Sequence, residues 1–242
     1  MWCLTPQRRS LHCSLPLMKK MKMKSPAEQR WLLRQLRDPY VKASHALNFR
    51  CRSAFKLLEM DDQLRLLRPG LSVVDCGAAP GAWSQVAVRR VNSCGTDPGS
   101  PCGTVVGIDL LNIPPLEGAH FLSHHDVTDP ATHAKLLKLL PDGRAHVILS
   151  DMAPNASGFR EMDHERLVAM CSSLIDLAEK ILRPGGSLLC KYWDGIHARG
   201  LQEKLCGVFG SVRTLKPNAS RKDSAERYFI ARMYRKPLKA PR

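Results

Sequence analysis

No apolar run in this 242-residue chain approaches the roughly 20 residues that a membrane span needs, so no spanning helix is expected. Nine cysteines are present, but no two stand in a Cys-x-x-Cys pair. That spacing marks zinc knuckles and dithiol redox sites, so no metal site and no disulfide framework are expected. Cys94 and Cys102 lie close together in one loop; free thiols in a reducing compartment are the expectation for them and for the rest. There is no internal repeat. The one glycine-containing turn that follows an apolar strand has neither the Gly-x-Gly-x-x-Gly spacing of a dinucleotide fingerprint nor the Lys-Ser/Thr ending of a nucleoside-triphosphate loop. A nicotinamide dehydrogenase and a P-loop enzyme are thereby disfavoured.

What is present begins with Val73–Gln85, reading Val-Val-Asp-Cys-Gly-Ala-Ala-Pro-Gly-Ala-Trp-Ser-Gln. An apolar strand breaks into a small-residue turn, and helical spacing resumes from Trp83. Free N–H groups at a helix start, beside glycines, allow close approach of a nucleotide-like ligand. With the two commoner phosphate loops excluded, the pattern is that of a cofactor loop for S-adenosylmethionine.

Around this stretch, strands are expected at Leu71–Cys76, Thr104–Asp109, Ala119–Leu122, His146–Ser150, Ser187–Lys191, Ser211–Leu215 and Arg227–Met233. Helices are expected at Ala27–Leu36, Asn48–Arg68, Trp83–Val91, Pro130–Leu139, Asp163–Leu182 and Ala198–Leu205, with Pro39 as an interruption. Such alternation implies an α/β domain, a mostly parallel sheet with helices on both faces. Asn92–Gly103, rich in Gly, Pro, Ser and Asp, reads as an exposed insertion.

Charge is unevenly placed. Residues 1–68 carry 15 Lys/Arg against 5 Asp/Glu, residues 211–242 carry 10 against 2, and the stretch between them 12 against 15. Two basic ends flanking a mildly acidic centre suit a polyanion such as RNA, whose phosphates bind with release of counterions. The first 27 residues contain no Asp or Glu, the composition of a mitochondrial presequence, although Met18–Lys24 is richer in Lys than such segments usually are. A nucleic-acid-binding arm is the alternative for it.

Polar residues then appear where strands should end. Asp109 closes an apolar strand at the position where an acid accepts hydrogen bonds from a ribose diol. Asp126 follows the next strand, where a side chain can meet an adenine amine. Asp151 opens Asp151-Met152-Ala153-Pro154-Asn155 after the fourth strand. Lys191 ends Leu188-Leu189-Cys190-Lys191; an ammonium so deep in an apolar strand is costly unless its charge is paired or lost.

Together these pieces carry a resemblance. Ser53-Ala54-Phe55-Lys56-Leu57, Asp75–Gln85, Ser150–Asn155, Cys190-Lys191 and Arg221–Glu226 resemble, in order, the motifs of the FtsJ/RrmJ family of RNA ribose 2′-O-methyltransferases, and more closely its mitochondrial ribosomal-RNA branch. The resemblance covers residues 28–235. It leaves 1–27 as a targeting segment and 236–242 as a basic tail. It implies a Rossmann-like, seven-stranded sheet whose last strand is antiparallel. It also implies S-adenosylmethionine as cofactor, and as partner ribosomal RNA or an assembling large subunit in the mitochondrial matrix. The sequence leaves the oligomeric state open, with a monomer favoured. The family's Lys-Asp-Lys-Glu tetrad would fall on Lys56, Asp151, Lys191 and Glu226. Its cofactor contacts would fall on Pro80, Gly81, Ala82, Trp83, Asp109, Asp126 and Asp151. Ala82 stands where bacterial members have a second glycine. On this scheme Lys191, in its neutral form, is the general base. Asp151 orients it, Lys56 and Glu226 position the ribose, and Arg50, Arg52, Arg221 and Lys222 are candidate phosphate ligands. A base-directed amino-methyltransferase would carry an aromatic residue in the Asp151–Pro154 motif, and none is there. A cap-type messenger-RNA 2′-O-methyltransferase shares the tetrad, and a ribosome-assembly factor whose methylation is secondary shares the charge pattern; both remain alternatives.

Overall fold

The computed structural model describes residues 25–155 and 157–235. The expected targeting segment therefore lies outside the described residues up to position 24, and the basic tail 236–242 entirely so. The chain divides into two compact units, one ending at Ala43 and the other beginning at Ser44. The first unit contains α1 (Pro26–Arg37) and the start of α2 (Pro39–Ala46). α2 was not expected, because Pro39 reads as a break. Proline suits a first helical position, where its missing N–H has no intrahelical partner, and the Asp38 carboxylate accepts the Tyr40 N–H at 3.0 Å.

In the second unit α3 (Ala54–Leu64) is shorter than the amphipathic stretch Asn48–Arg68 suggested. Arg65 adopts the left-handed conformation, with φ 50°, and ends the helix. The Asp61 carboxylate then takes the Leu67 N–H at 2.8 Å. The remaining elements are β1 (Ser72–Cys76), α4 (Ala82–Val91), β2 (Thr104–Asp109), β3 (Ala119–Ser123), α5 (Pro130–Leu139), β4 (Ala145–Ser150), α6 (Arg160–Ile181), β5 (Leu182–Trp193), α7 (Ala198–Val208), β6 (Phe209–Leu215) and β7 (Glu226–Tyr234). β5 starts five residues before the expected Ser187, because Leu182 pairs with Ala145 ahead of a register shift that absorbs Pro184-Gly185-Gly186.

The seven strands form one sheet in the order β3-β2-β1-β4-β5-β7-β6. β1 to β5 run parallel, and β7 lies antiparallel between β5 and β6. This is the expected α/β, Rossmann-like architecture. The order reverses between β1 and β4, and ligands of such sheets gather outside the carboxyl ends of the strands at that reversal.

Strand alternation sorts the core into two layers. Val74, Cys76, Ile108, Ile148, Leu188 and Cys190 face α5, α6 and α7. Val73, Val105, Val147, Leu149, Leu189, Tyr228 and Ile230 face α3 and α4. Period two then decides where four polar side chains go. Asp75 continues the Val73 side, Asp151 follows Leu149, Lys191 follows Leu189, and Glu226 precedes Tyr228. All four belong to the layer that packs on α3, the helix carrying Lys56.

Candidate active site

The turn after β1 is shaped by backbone bonds. Gly77 and Ala78 both donate to the Ile108 carbonyl, at 2.9 and 3.0 Å. Gly77 has φ +74°, and a Cβ there would run into the Met152 side chain, so two independent reasons call for glycine. The Asp109 carboxylate at the end of β2 accepts the Ala79 N–H on one oxygen and the Leu111 N–H on the other, each at 2.8 Å. It thus locks the first loop to the second strand.

Gly77, Ala79, Asp109, Asp126, Asp151 and Met152 contribute to the wall of a cavity of about 640 Å³ at the carboxyl ends of β1, β2 and β4. The Asp126 carboxylate is held below its ordinary range by the Thr128 N–H and hydroxyl, at 2.8 and 2.7 Å. Of the residues expected to meet a cofactor, the structure brings Asp109, Asp126 and Asp151 to this cavity. Pro80, Gly81, Ala82 and Trp83 are not among its walls. Trp83 is buried instead, its Nε1 donating to the Ser53 carbonyl at 2.9 Å and its ring 5.8 Å from that of Tyr228. The Pro80 carbonyl accepts from Arg50 at 2.8 Å, and the same guanidinium bonds the carbonyls of Pro114 and Pro115 at 2.7 and 2.6 Å. Arg52 bonds the Ala219 carbonyl. Both arginines, expected to serve phosphates, hold backbone of this chain with part of their donor set. Lys222 is exposed and Arg221 half-exposed.

Beside the cavity the structure brings Lys56, Asp151, Lys191 and Glu226 together. Lys191 is buried, and its Nζ donates to the Asp151 carbonyl at 2.6 Å and to its Oδ1 at 3.0 Å. Lys56 Nζ lies 2.8 and 2.9 Å from the two Glu226 oxygens. The cross distances are longer, 3.6 Å from Lys56 to Asp151 and 3.8 Å from Lys191 to Glu226. Two cations and two anions alternate, so each buried charge has an opposite neighbour, the condition under which such charges are tolerated.

Three hydroxyls complete this group and had not been expected. Ser53 Oγ donates to Asp151 Oδ2, Tyr228 OH to Asp151 Oδ1 at 2.6 Å, and Ser220 Oγ to Glu226 Oε1 at 2.7 Å. Burial favours the protonated form of Asp151, but Lys191, Lys56 and the Ser53 and Tyr228 hydroxyls outweigh it and hold the carboxyl below its ordinary range. Burial, with Asp151 and Glu226 nearby, raises the Tyr228 phenol far above its usual value, so it remains a donor. Tyr228 was open to detection, since it sits two positions from Glu226 on one strand. Ser53 stood in the Ser53–Leu57 motif, which gave it no role of its own, and Ser220 carried no comparable signal.

Residues 49–234 match the family profile described as FtsJ-like methyltransferase. The chain is 42% identical over 215 residues to the protein named rRNA methyltransferase 2, mitochondrial, of Drosophila melanogaster, covering 89% of this chain and 86% of that one. It is 45% identical over 210 residues to ribosomal RNA large subunit methyltransferase E of Bradyrhizobium diazoefficiens, covering 87% and 89%. A crystal structure of a ribosomal RNA methyltransferase from Plasmodium falciparum superposes with a TM-score of 0.67 at 26% identity, over 77% of this chain and 98% of that one. With a profile matched across most of its length and relatives this similar over nearly all of theirs, the chain belongs to the FtsJ-like methyltransferase family.

Proposed function

We propose that this enzyme methylates the 2′-oxygen of a ribose, a uridine by family resemblance, in large-subunit ribosomal RNA of the mitochondrion, using S-adenosylmethionine. Its site of action on this reading is the matrix, reached by way of residues 1–27, and its substrate is ribosomal RNA or an assembling large subunit met by a monomer. Residues 28–235 are the catalytic domain, and the basic tail 236–242 adds to the RNA-facing charge.

The residues around the cavity fit the cofactor. A carboxylate has about four acceptor sites. Asp109 uses two on backbone, which leaves two for a ribose diol. Asp126 Oδ1 is engaged by Thr128, and its carboxylate borders the cavity where an exocyclic amine needs an acceptor. Ile108, Val127 and Met152 offer apolar walls to a flat heterocycle, and about 640 Å³ falls within the range of small-molecule pockets. Bound S-adenosylmethionine supplies a methyl group made electrophilic by its sulfonium.

The acceptor side is the work of the tetrad. Transfer to a weakly acidic hydroxyl needs positioning along the line of displacement and removal of the hydroxyl proton as the new bond forms. A neutral lysine amine has two N–H bonds and one lone pair. In this structure Lys191 makes two hydrogen bonds to Asp151, to its carbonyl and its carboxylate. Once the ammonium has given up its third proton to solvent, both remaining hydrogens are engaged there and the lone pair is left for the incoming 2′-hydroxyl. Asp151 is therefore the orienting group and Lys191 the base. Lys56 and Glu226, joined at 2.8 Å, present a donor and an acceptor to the ribose.

The observation that carries this reading is the double hydrogen bond that aims Lys191. Lys191→Ala should abolish methyl transfer to large-subunit ribosomal RNA while S-adenosylmethionine binding, followed by calorimetry, persists. Near-normal turnover of that variant removes Lys191 from its role. Mapping of 2′-O-methyl groups in mitochondrial ribosomal RNA with and without the protein identifies the nucleotide; an unchanged map rejects the substrate.

A further inference from the structure

The two carboxylates of the tetrad are each held by a serine hydroxyl, and the two serines lie far apart in the chain. Ser53 precedes α3 and bonds Asp151; Ser220 sits in the β6–β7 connection and bonds Glu226. Their neighbours are tied to each other. Arg52 donates to the Ala219 carbonyl, and Ala219 N–H donates to Glu59 Oε2 at 3.2 Å. The main chain of one buried residue is thus gripped at both its N–H and its C=O by two side chains of the α3 segment. Lys56 and Glu59 stand at i and i+3 on one face of α3, and Arg52 lies in the turn that leads into it. Between Arg52 and Glu59 along the chain is the lysine paired with Glu226.

The same loop is closed from its other end. Lys216 Nζ donates to the carbonyls of Lys222 and Ser224 at 3.1 and 2.7 Å, and Ser224 Oγ accepts the Glu226 N–H at 3.1 Å. Ala219 and Ser220 are buried, whereas Lys222, two residues on, is exposed. The grip is therefore on the inner limb of a loop whose outer limb faces solvent.

We infer that Arg52 and Glu59 form a clamp on Ala219 that sets the spacing between Ser53 and Ser220, and through these hydroxyls the spacing of Asp151 and Glu226 around the two lysines. These four are positioning residues; none needs to touch substrate. The inference rests on the tetrad reading above. Its chemical content is that a carboxylate fixed by a neutral hydroxyl keeps its remaining lone pairs aimed at the lysines, at no cost in added charge.

The test is a double-mutant cycle on methyl transfer, with wild-type turnover measured first. Ser220→Ala removes one hydrogen bond to a charged group with almost no change in volume. It should lower kcat about tenfold and leave the KM for S-adenosylmethionine unchanged. Arg52→Met should lower kcat by a similar factor alone and by much less in the Ser220→Ala background, because both act on the same carboxylate. Arg52→Lys should recover part of the loss. Thermal melting of each variant reports folding, and a kcat loss in a variant that melts like wild type is the supporting result. Independent, multiplicative effects of Arg52→Met and Ser220→Ala, or an unchanged kcat in Ser220→Ala, overturn the clamp. Absence of methyl transfer by the wild-type protein overturns the reading beneath it instead. If Arg52→Met fails to fold, Glu59→Met, which removes the acceptor of the Ala219 N–H at similar side-chain length, closes the same cycle with Ser220→Ala.

Discussion

Asp75 gives the sharpest test of the electrostatics beneath the cofactor loop. It is fully buried in β1, and its carboxyl accepts the Ser84 hydroxyl at 2.7 Å. Burial raises its pKa from 3.8 to about 7; the Ser84 hydrogen bond opposes the rise, and the negative charges of Asp151 and Asp109 add to it. A raised carboxyl pKa means that between pH 4 and 7 the folded protein holds a proton the unfolded chain has already released. Stability must therefore fall as pH rises through that window, and the loss is complete above the folded pKa. At 1.36 kcal/mol per pH unit, the decline from this group between pH 5 and pH 8 is about 3 kcal/mol. Asp75→Asn keeps the shape, keeps an oxygen for Ser84 and cannot ionise, so it should lose this part of the decline. Urea unfolding of both proteins at pH 5 and pH 8 measures the difference. Histidines titrate in the same range, but they are common to both proteins and cancel in the comparison. If the wild type loses no more stability than Asp75→Asn between the two pH values, Asp75 is ionised at neutral pH and the reasoning fails.

Other consequences can be checked with single substitutions. Tyr228→Phe deletes one of the two hydroxyl donors on Asp151, so kcat should fall by up to about tenfold. A lowered carboxylate pKa contributes stability above about pH 4 that is lost as pH falls through the folded value. Tyr228→Phe should move that loss to higher pH in acid titrations followed by circular dichroism, and an unchanged acid limb contradicts the assigned hydrogen bond. Gly77→Ala must adopt φ +74° and displace Met152, whereas Gly185→Ala meets a similar φ of +78° with nothing within 4 Å. Both should lower Tm, but only Gly77→Ala should also weaken S-adenosylmethionine binding by calorimetry. Equal behaviour of the two would show that backbone conformation alone, without Met152, explains the glycine.

The fold and most of the site were legible because both rest on periodicity. Once strands are placed, period two puts Asp75, Asp151, Lys191 and Glu226 on the layer that faces α3. Burial of an ammonium at a strand end then demands the anions that are found there. The backbone partners of Arg50 and Arg52 were hidden for a physical reason. An arginine in a basic stretch looks the same in sequence whether its donors meet a phosphate or a carbonyl, and carbonyls leave no mark in the sequence. The same blindness hid the roles of Ser53 and Ser220, whose hydroxyls find Asp151 after β4 and Glu226 at the start of β7, 98 and 6 residues away. Sequence spacing located the groups that hold charge, and it could not show the neutral groups that aim them. An active site inferred from charged motifs alone should therefore be expected to lack its hydroxyl donors and backbone anchors. Here those are Tyr228, the two serines and the arginine–glutamate grip on Ala219, and it is on them that the directions of Asp151 and Glu226 depend.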